Sequence, residues 1–413
     1  MSTALSSEVP VFAELDPLDP GQAADPHVLL AKARRDHPVF FMSRYGWYVV
    51  TRLDDITRIA NDPETFSNRL FVTVPDVPER FRDRLPNGFP MKVQLAAADP
   101  PAHGRLKRYM QAALSPRIIA AHADRIRQIA HDLVDAMLLS PERQANLATA
   151  YADRIPMMAI AALLDAPIDD YDRYRLWVDA SLELITTNPS PERLEILAET
   201  LLDFDSFIRK LIHDRRDHPG EDAISKMLAA GGPDDALSEE EVLGLVSSML
   251  LGGTDTTGTA IGNMVWSLLT HRSQWEAVRA DRGLLAMAFE ESVRFRDPGR
   301  GPIRLVTRDT QIGGISIPKG ALVQLCTMAA DHDETVFDRA DAFDIFRKDL
   351  KISPAWGRGI HMCVGRILAH LEGEIALDTL LDRIPDLQLV GDGGRVYSPQ
   401  LMMPTLRSLH VRW

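Results

Sequence analysis

The chain has 413 residues, of which 45% are hydrophobic and 25% charged, an ordinary composition for a globular protein large enough to bury a cofactor. Its formal net charge of -13 argues against nucleic acid or an anionic membrane surface as the main partner. Two cysteines are too few for a disulfide framework and fit a reducing compartment, so we expect a cytoplasmic protein.

The N-terminal segment is polar and shows no basic-then-apolar targeting pattern. We predict a mobile tail over residues 1–12 and, because no linker or repeat divides the rest, a single domain over 13–413. The most apolar long run, 242–269, is interrupted by Asp255 and five glycines. A buried central helix therefore explains this run better than a membrane span does.

Helical patterns dominate the chain from end to end. We predict helices at 26–36, 53–61, from 99 onward, and at 117–138, 150–164, 169–186, 191–216, 238–269, 272–281, 284–296 and 364–383. Strands are predicted at 47–51 and, broken by glycine and proline, across 303–326. Residues 66–98 contain several prolines without a sustained period, which is typical of a lid or binding loop. The order of elements predicts a mainly α fold with small β-sheets.

The predicted long helix carries an unusual polar step at its middle. Asp255 and Thr256 follow Gly252 and Gly253. A carboxylate in an apolar helix is costly unless it has a partner or a task, and Gly-Gly and hydroxyl residues distort a helix. The pattern fits a kinked site that delivers protons to a buried oxidant, and it equally fits a satisfied polar cluster between packed helices.

Cys363 lies in a glycine-rich segment just before the last predicted helix. Gly357, Gly359 and Gly365 surround it, and glycine permits close backbone approach or unusual φ angles. A large flat group would therefore fit against the backbone while the sulfur points at it, as in haem-thiolate ligation. The alternative is a buried cysteine that packs as a small hydrophobe.

A third motif lies between these two: Glu291 and Arg294, three residues apart on one predicted helix face. Such a pair is a weak signal alone. The three motifs in this order resemble the cytochrome P450 family of haem-thiolate monooxygenases, in its soluble bacterial form. The resemblance covers nearly the whole chain, from the first predicted strand onward. It implies the cytochrome P450 fold, with a long central helix over a buried haem.

The resemblance also implies roles for particular residues. Cys363 would ligate the iron of haem b (iron protoporphyrin IX), Asp255 and Thr256 would be the acid–alcohol pair that supplies protons for dioxygen activation, and Glu291 and Arg294 would be structural. Trp356 stands where the family usually has Phe. The residues implied in cofactor binding are His103, Lys107, Arg304, His361, Gly357 and Gly365, with Lys107 in the place of a common Arg. Those implied in the substrate pocket are Ser248, Leu251, Gly253, Thr257, Gly299, Ile303 and Met402.

The resemblance implies a monomeric monooxygenase that inserts one atom of O₂ into a small organic substrate by hydroxylation or O-demethylation. Electrons would come from NAD(P)H through a ferredoxin and its reductase, because the chain has no flavin or iron–sulfur motif. One alternative is oxidative coupling or peroxygenation in secondary metabolism. Alternatives of other classes are a non-catalytic haem-binding sensor and a haem-free enzyme with Cys363 as nucleophile, although no adjacent His–Asn arrangement is evident for the latter.

Overall fold

The computed structural model describes residues 9–413, and helices make up most of its regular structure. In chain order the helices are α1 (Pro20–Ala24), α2 (His27–Asp36), α3 (Leu53–Ala60), α4 (Ala102–Ala113), α5 (Pro116–Ala121), α6 (Ala123–Leu138), α7 (Arg154–Leu163), α8 (Tyr171–Thr186), α9 (Pro191–Asp217), α10 (Ala223–Ala229), α11 (Glu239–Gly253), α12 (Asp255–Thr270), α13 (Arg272–Ala280), α14 (Leu285–Phe295), α15 (Thr327–Ala330) and α16 (Arg366–Arg383). The predicted fold class is confirmed.

The strands are short. They are β1 (Val39–Met42), β2 (Trp47–Val50), β3 (Phe66–Ser67), β4 (Gln144–Asn146), β5 (Ile303–Val306), β6 (Thr310–Ile312), β7 (Ile315–Ile317), β8 (Leu322–Leu325), β9 (Gln388–Leu389), β10 (Val396–Tyr397), β11 (Leu406–Ser408) and β12 (His410–Arg412). The strands predicted at 47–51 and 303–326 are therefore present, whereas β1 was not predicted. Residues 66–98 are mostly irregular, as expected, apart from β3 and two short 3₁₀ turns.

The chain forms two compact units. The first comprises the described residues up to Phe71, together with Gly262–Cys363 and Gln388–His410. Its main sheet has the order β1-β2-β8-β5-β3, in which β2 and β8 run parallel. Alternate residues of β2 enter different cores because side chains of a strand point to opposite faces: Tyr48 and Val50 join one hydrophobic cluster, and Trp47 and Val49 join the other.

The second unit comprises Val72–Ile261, Val364–Leu387 and Val411–Trp413 and is built from helices. Helix α16 packs against α6, and Tyr151 donates a hydrogen bond to Ala376 O at 2.8 Å in the same region. Helix α11 begins with the predicted capping box: Ser238 Oγ accepts from Glu241 N at 3.2 Å, and Glu241 Oε2 accepts from Ser238 N at 2.8 Å.

Some element boundaries differ from the sequence-based expectation. The helix predicted at 117–138 divides into α5 and α6 at His122. The one predicted at 150–164 consists of the end of a π-helical turn, Ala148–Ala152, followed by α7 from Arg154. Of the predicted tail, residues 1–8 lie outside the described residues; beyond them, Pro10 O accepts from Phe41 N at 2.8 Å and Phe12 is buried. Across the described part of the chain, every helix is too short or too polar to span a bilayer.

Candidate functional site

The glycine-rich loop before α16 has a backbone that only glycine adopts easily. Gly357 and Gly359 have φ angles of 76° and 65°. A Cβ on Gly359 would lie 2.2 Å from Ala60 O, so the loop approaches the end of α3 too closely for any side chain. Gly365 differs, because its φ of -84° is open to any residue and it precedes α16 as the N-cap.

Cys363 lies at the end of this loop. Its N–H donates to Trp356 O at 2.8 Å, which closes the loop, and the residue is exposed. The alternative of a core cysteine is therefore wrong for Cys363. It holds instead for Cys326, which is buried and whose thiol pKa is raised to about 11 by that burial. Of the two cysteines, Cys363 is therefore the exposed one, and its role as a cofactor ligand stays a prediction.

Trp356 is anchored to α14 by a hydrogen bond that the sequence did not predict. Its Nε1 donates to Glu290 Oε2 at 3.0 Å, and its ring lies 6.3 Å from that of Phe289. The larger indole thus has a polar partner that a phenylalanine at this position would lack. Glu290 itself is buried, so the bond forms away from bulk water.

The predicted pair of Glu291 and Arg294 is fully buried, with both side chains 0% exposed. Glu291 accepts from Arg294 Nε at 2.7 Å and from Nη2 at 2.8 Å. It also accepts from Asp344 N at 2.8 Å and from Arg347 Nε at 3.2 Å. The pair therefore ties α14 to the segment before the cysteine loop. Arg347 was missed, because nothing in its local sequence distinguishes it from a surface arginine.

The polar step in the long helix is a break between α11 and α12. Thr254 separates the two helices, and its Oγ1 donates to Leu250 O at 2.8 Å. Thr256 Oγ1 donates to Gly252 O at 2.6 Å. These hydrogen bonds from threonine hydroxyls to backbone carbonyls compete with the backbone hydrogen bonds of the helix beside Gly252 and Gly253. This competition explains the interruption of the helix that the sequence predicted.

Asp255 is buried at the first turn of α12 and is ion-paired. Arg175 Nη1 of α8 lies 2.5 Å from its Oδ1, and the same guanidinium lies 3.3 Å from Asp153 and 2.7 Å from Asp179. Burial opposes the charge of Arg175, but the three carboxylates more than compensate and hold its pKa above the ordinary value. Asp255 therefore belongs to a buried polar cluster with satisfied partners, which was one of the two interpretations of the sequence. Arg175 was missed because it is one of several charged residues along α8.

Four residues are implied in binding the haem propionates. His103 and Lys107 belong to the second unit, and Arg304 and His361 belong to the first. His103 on α4 is only 3% exposed and is therefore not an ordinary surface histidine. Its burial, and next Lys107, lower its pKa, so the imidazole is neutral at neutral pH. In the first unit Arg304 is buried on β5, and His361 is half-buried in the turn before Cys363. Imidazole and cationic groups of this kind fit the propionates of haem.

The residues predicted to line a substrate pocket also divide between the units. In the second unit Ser248 Oγ lies 2.7 Å from Gln94 Oε1, which joins α11 to the loop at 66–98. A Cβ on Gly253 would lie 2.8 Å from Ile160 Cδ1. The other residues predicted there are Leu251 and Thr257, which are buried.

In the first unit, Gly299 and Ile303 lie on either side of a link to the C-terminal segment. Arg300 N donates to Met402 O at 2.9 Å, which brings that segment beside Gly299. The pocket roles of Gly299, Ile303 and Met402 stay predictions.

Comparisons with known proteins agree with the resemblance seen in the motifs. The model of the family described as Cytochrome P450 matches residues 59–384. The chain is 30% identical to Epothilone C/D epoxidase of Sorangium cellulosum over 94% of this chain and 92% of that protein. It is 29% identical to Erythromycin C-12 hydroxylase of Saccharopolyspora erythraea over 91% and 92%. Among solved structures, cytochrome P450 CREJ in complex with (4-ethylphenyl) dihydrogen phosphate superposes with a TM-score of 0.86 at 29% identity, covering 94% of this chain and 97% of that one.

Proposed function

Because this chain belongs to the cytochrome P450 family, we propose that it inserts one oxygen atom from O₂ into a small organic substrate by hydroxylation or O-demethylation. The chain is a haem-dependent monooxygenase, as are its relatives, so a non-catalytic sensor is set aside. The observation that carries the residue assignment is the exposed Cys363 at the end of a glycine loop whose backbone admits no side chain at Gly359.

In this proposal Cys363 ligates the iron of haem b. Bound haem with a thiolate ligand supplies O₂ binding and favours O–O cleavage. Gly357 and Gly365 keep the loop backbone free of side chains on either side of the cysteine. The residues that would hold the propionates are His103, Lys107, Arg304 and His361. Neutral His103 serves as a hydrogen-bond donor, whereas Arg304 and Lys107 supply charge.

Asp255 and Thr256 manage protons in this proposal. The hydrogen of the Thr256 hydroxyl goes to Gly252 O, so its oxygen keeps lone pairs with which to accept a second hydrogen bond. Asp255 accepts a hydrogen bond from Arg175, which fixes the orientation of the carboxylate. Arg175 is thus a positioning residue. Proton transfer through Asp255 requires the carboxylate to release Arg175 and to form a hydrogen bond with water or with the substrate instead.

Electrons would come from NAD(P)H through a reductase and a ferredoxin, with the chain acting as a monomer. If the ferredoxin is acidic, its docking surface on this chain would need basic side chains near the cysteine loop. The candidates are Arg358, Arg366, Lys107 and Arg108. Of these, Arg108 is ion-paired with Asp235, so its charge is already partly compensated. Arg358 donates to Ile352 O, which orients it within the loop region.

A second candidate reaction is epoxidation of an alkene. The relative named Epothilone C/D epoxidase matches this chain over 94% of its length at 30% identity. Epoxidation and hydroxylation use the same oxygen-inserting cofactor and differ in the bond that the pocket presents. A substrate panel containing matched alkane and alkene pairs, assayed with a ferredoxin and its reductase, separates the two.

The ligand assignment is tested by the absorption of the dithionite-reduced protein under carbon monoxide. Wild type should show the red-shifted Soret band of a thiolate–haem–CO complex, and Cys363→Ala should lose it. Cys326→Ala is the matched control, because that cysteine is buried with a raised thiol pKa and should leave the band unchanged. Retention of the band in Cys363→Ala, or its loss only in Cys326→Ala, would show that the ligand is assigned wrongly.

A further inference from the structure

The first unit contains a small cavity inside its second hydrophobic cluster, apart from the cysteine loop. Its walls are mostly apolar, and it has room for about one or two water-sized molecules. Three polar residues, Gln22, Arg300 and Gln324, also line it. The apolar side chains around them are Leu15, Leu30, Met42, Val49 and Met328.

Arg300 is held rigidly at this cavity. Its N–H donates to Met402 O at 2.9 Å, and its carbonyl accepts from Gln324 Nε2 at 3.1 Å, so both sides of its backbone are fixed. The side chain is only 5% exposed. Nη1 donates to Gln400 O at 2.8 Å, whereas Nη2 has no hydrogen-bond partner among residues 9–413. One end of this buried guanidinium is therefore unsatisfied, and Arg300 is one of the residues that line the cavity.

The charge of Arg300 is also uncompensated. No carboxylate of the described residues forms an ion pair with it, and its own contacts are to the backbone carbonyls of Gln400 and Leu401. Burial lowers the pKa of Arg300 to about 10, and burial raises that of the neighbouring Cys326 thiol to about 11. At neutral pH the guanidinium is thus charged while the thiol is not. Asp16 contributes to the electrostatic field at Arg300, but its carboxylate already accepts a hydrogen bond from Tyr45 at 2.6 Å and forms an ion pair with Arg44.

We propose that this cavity binds a small monovalent anion, either the carboxylate group of a short organic acid or a halide, against Nη2 of Arg300. An isolated buried cation is expensive, and a bound anion supplies both the missing hydrogen-bond acceptor and the missing charge. The size of the cavity and its apolar walls disfavour large or multiply charged anions. None of the residues proposed for catalysis or for the substrate pocket lines this cavity, so the test below does not depend on the proposed reaction.

Thermal unfolding of the full-length protein tests the site with sodium acetate as the probe. Ionic strength is held constant with sodium gluconate, whose anion is a carboxylate too large for the cavity. The wild-type midpoint should rise with the logarithm of the acetate concentration once that concentration exceeds Kd. The expected Kd is on the order of 0.1–10 mM, because an anion of four non-hydrogen atoms has limited binding energy. Arg300→Met should abolish the shift. Arg308→Met, at an exposed arginine, should keep it.

A crystal of the wild type soaked in sodium bromide is the second measurement, and it does not depend on the variant folding. Anomalous density beside Nη2 of Arg300 supports the halide source, and an acetate-dependent midpoint without bromide density supports a carboxylate-selective site. The proposal is overturned if Arg300→Met shows the same acetate dependence as wild type. It is also overturned if wild type shows neither an acetate-dependent midpoint shift beyond that of the gluconate control nor density at Arg300.

Discussion

Removing the carboxylate of Glu291 should destabilise the protein severely. That carboxylate accepts hydrogen bonds from Arg294, Arg347 and the Asp344 amide, and both Glu291 and Arg294 are 0% exposed. In Glu291→Ala both guanidiniums keep bonds to backbone carbonyls, such as Arg294 Nη1 to Asp331 O at 2.8 Å. Arg294 loses its ion-pair partner, whereas Arg347 retains the more distant Asp349 at 3.8 Å. Breaking a buried pair in this way costs about 3–5 kcal/mol, out of a total stability of about 5–15 kcal/mol.

The assay is urea unfolding of the purified protein followed by far-UV circular dichroism. Glu276→Ala is the matched control, because Glu276 pairs with Arg272 on α13 at 38% side-chain exposure and should cost less than about 1 kcal/mol. Glu291→Gln separates charge from shape, since it keeps the volume but not the charge, and it should lose nearly as much stability as Ala. The reasoning is refuted if the free energy of unfolding of Glu291→Ala lies within about 1 kcal/mol of the wild-type value, with an unchanged dependence on urea concentration. In that case the Glu291 carboxylate would not compensate the buried guanidiniums.

Three further outcomes are expected. Asp255→Asn should bind haem and substrate yet turn over about 10²–10⁴-fold more slowly, measured as product formed per minute. Thr256→Ala should keep consuming NAD(P)H but release more peroxide per NAD(P)H; coupling equal to wild type in both variants would make the pair structural. Glu372 is buried, its Oε1 has no hydrogen-bond partner among residues 9–413, and its burial raises its pKa well above 4.5. The folded state therefore holds this proton longer than the unfolded state, and wild type loses stability as pH rises above about 4.5. Glu372→Gln lacks this loss, so its thermal midpoint relative to wild type should be higher at pH 8 than at pH 5; an identical difference at both pH values would contradict the pKa shift.

Local patterns in the sequence were enough to find the main chemical groups. Glycines on either side of Cys363 predicted a tight loop, and the structure shows positive φ angles at Gly357 and Gly359. The Gly-Gly-Thr step predicted a distorted long helix, and α11 and α12 are separated there. These features depend on bonds between residues a few positions apart, such as Thr256 to Gly252. Their geometry is therefore set by the local chain.

Tertiary structure decided which partners those groups have. Arg175 binds Asp255 across 80 positions, Trp356 binds Glu290 across 66, and Arg347 binds Glu291 across 56. Each arginine looked like an ordinary surface charge, since charged side chains along a helix or loop are usually solvated.

Periodicity and spacing determined the fold class and the positions of the chemistry-bearing motifs. Burial and long-range pairing, which arise only when distant segments pack, determined the charge balance around each of them. An ion pair or an uncompensated charge depends on distance in space, and sequence separation carries little information about that distance.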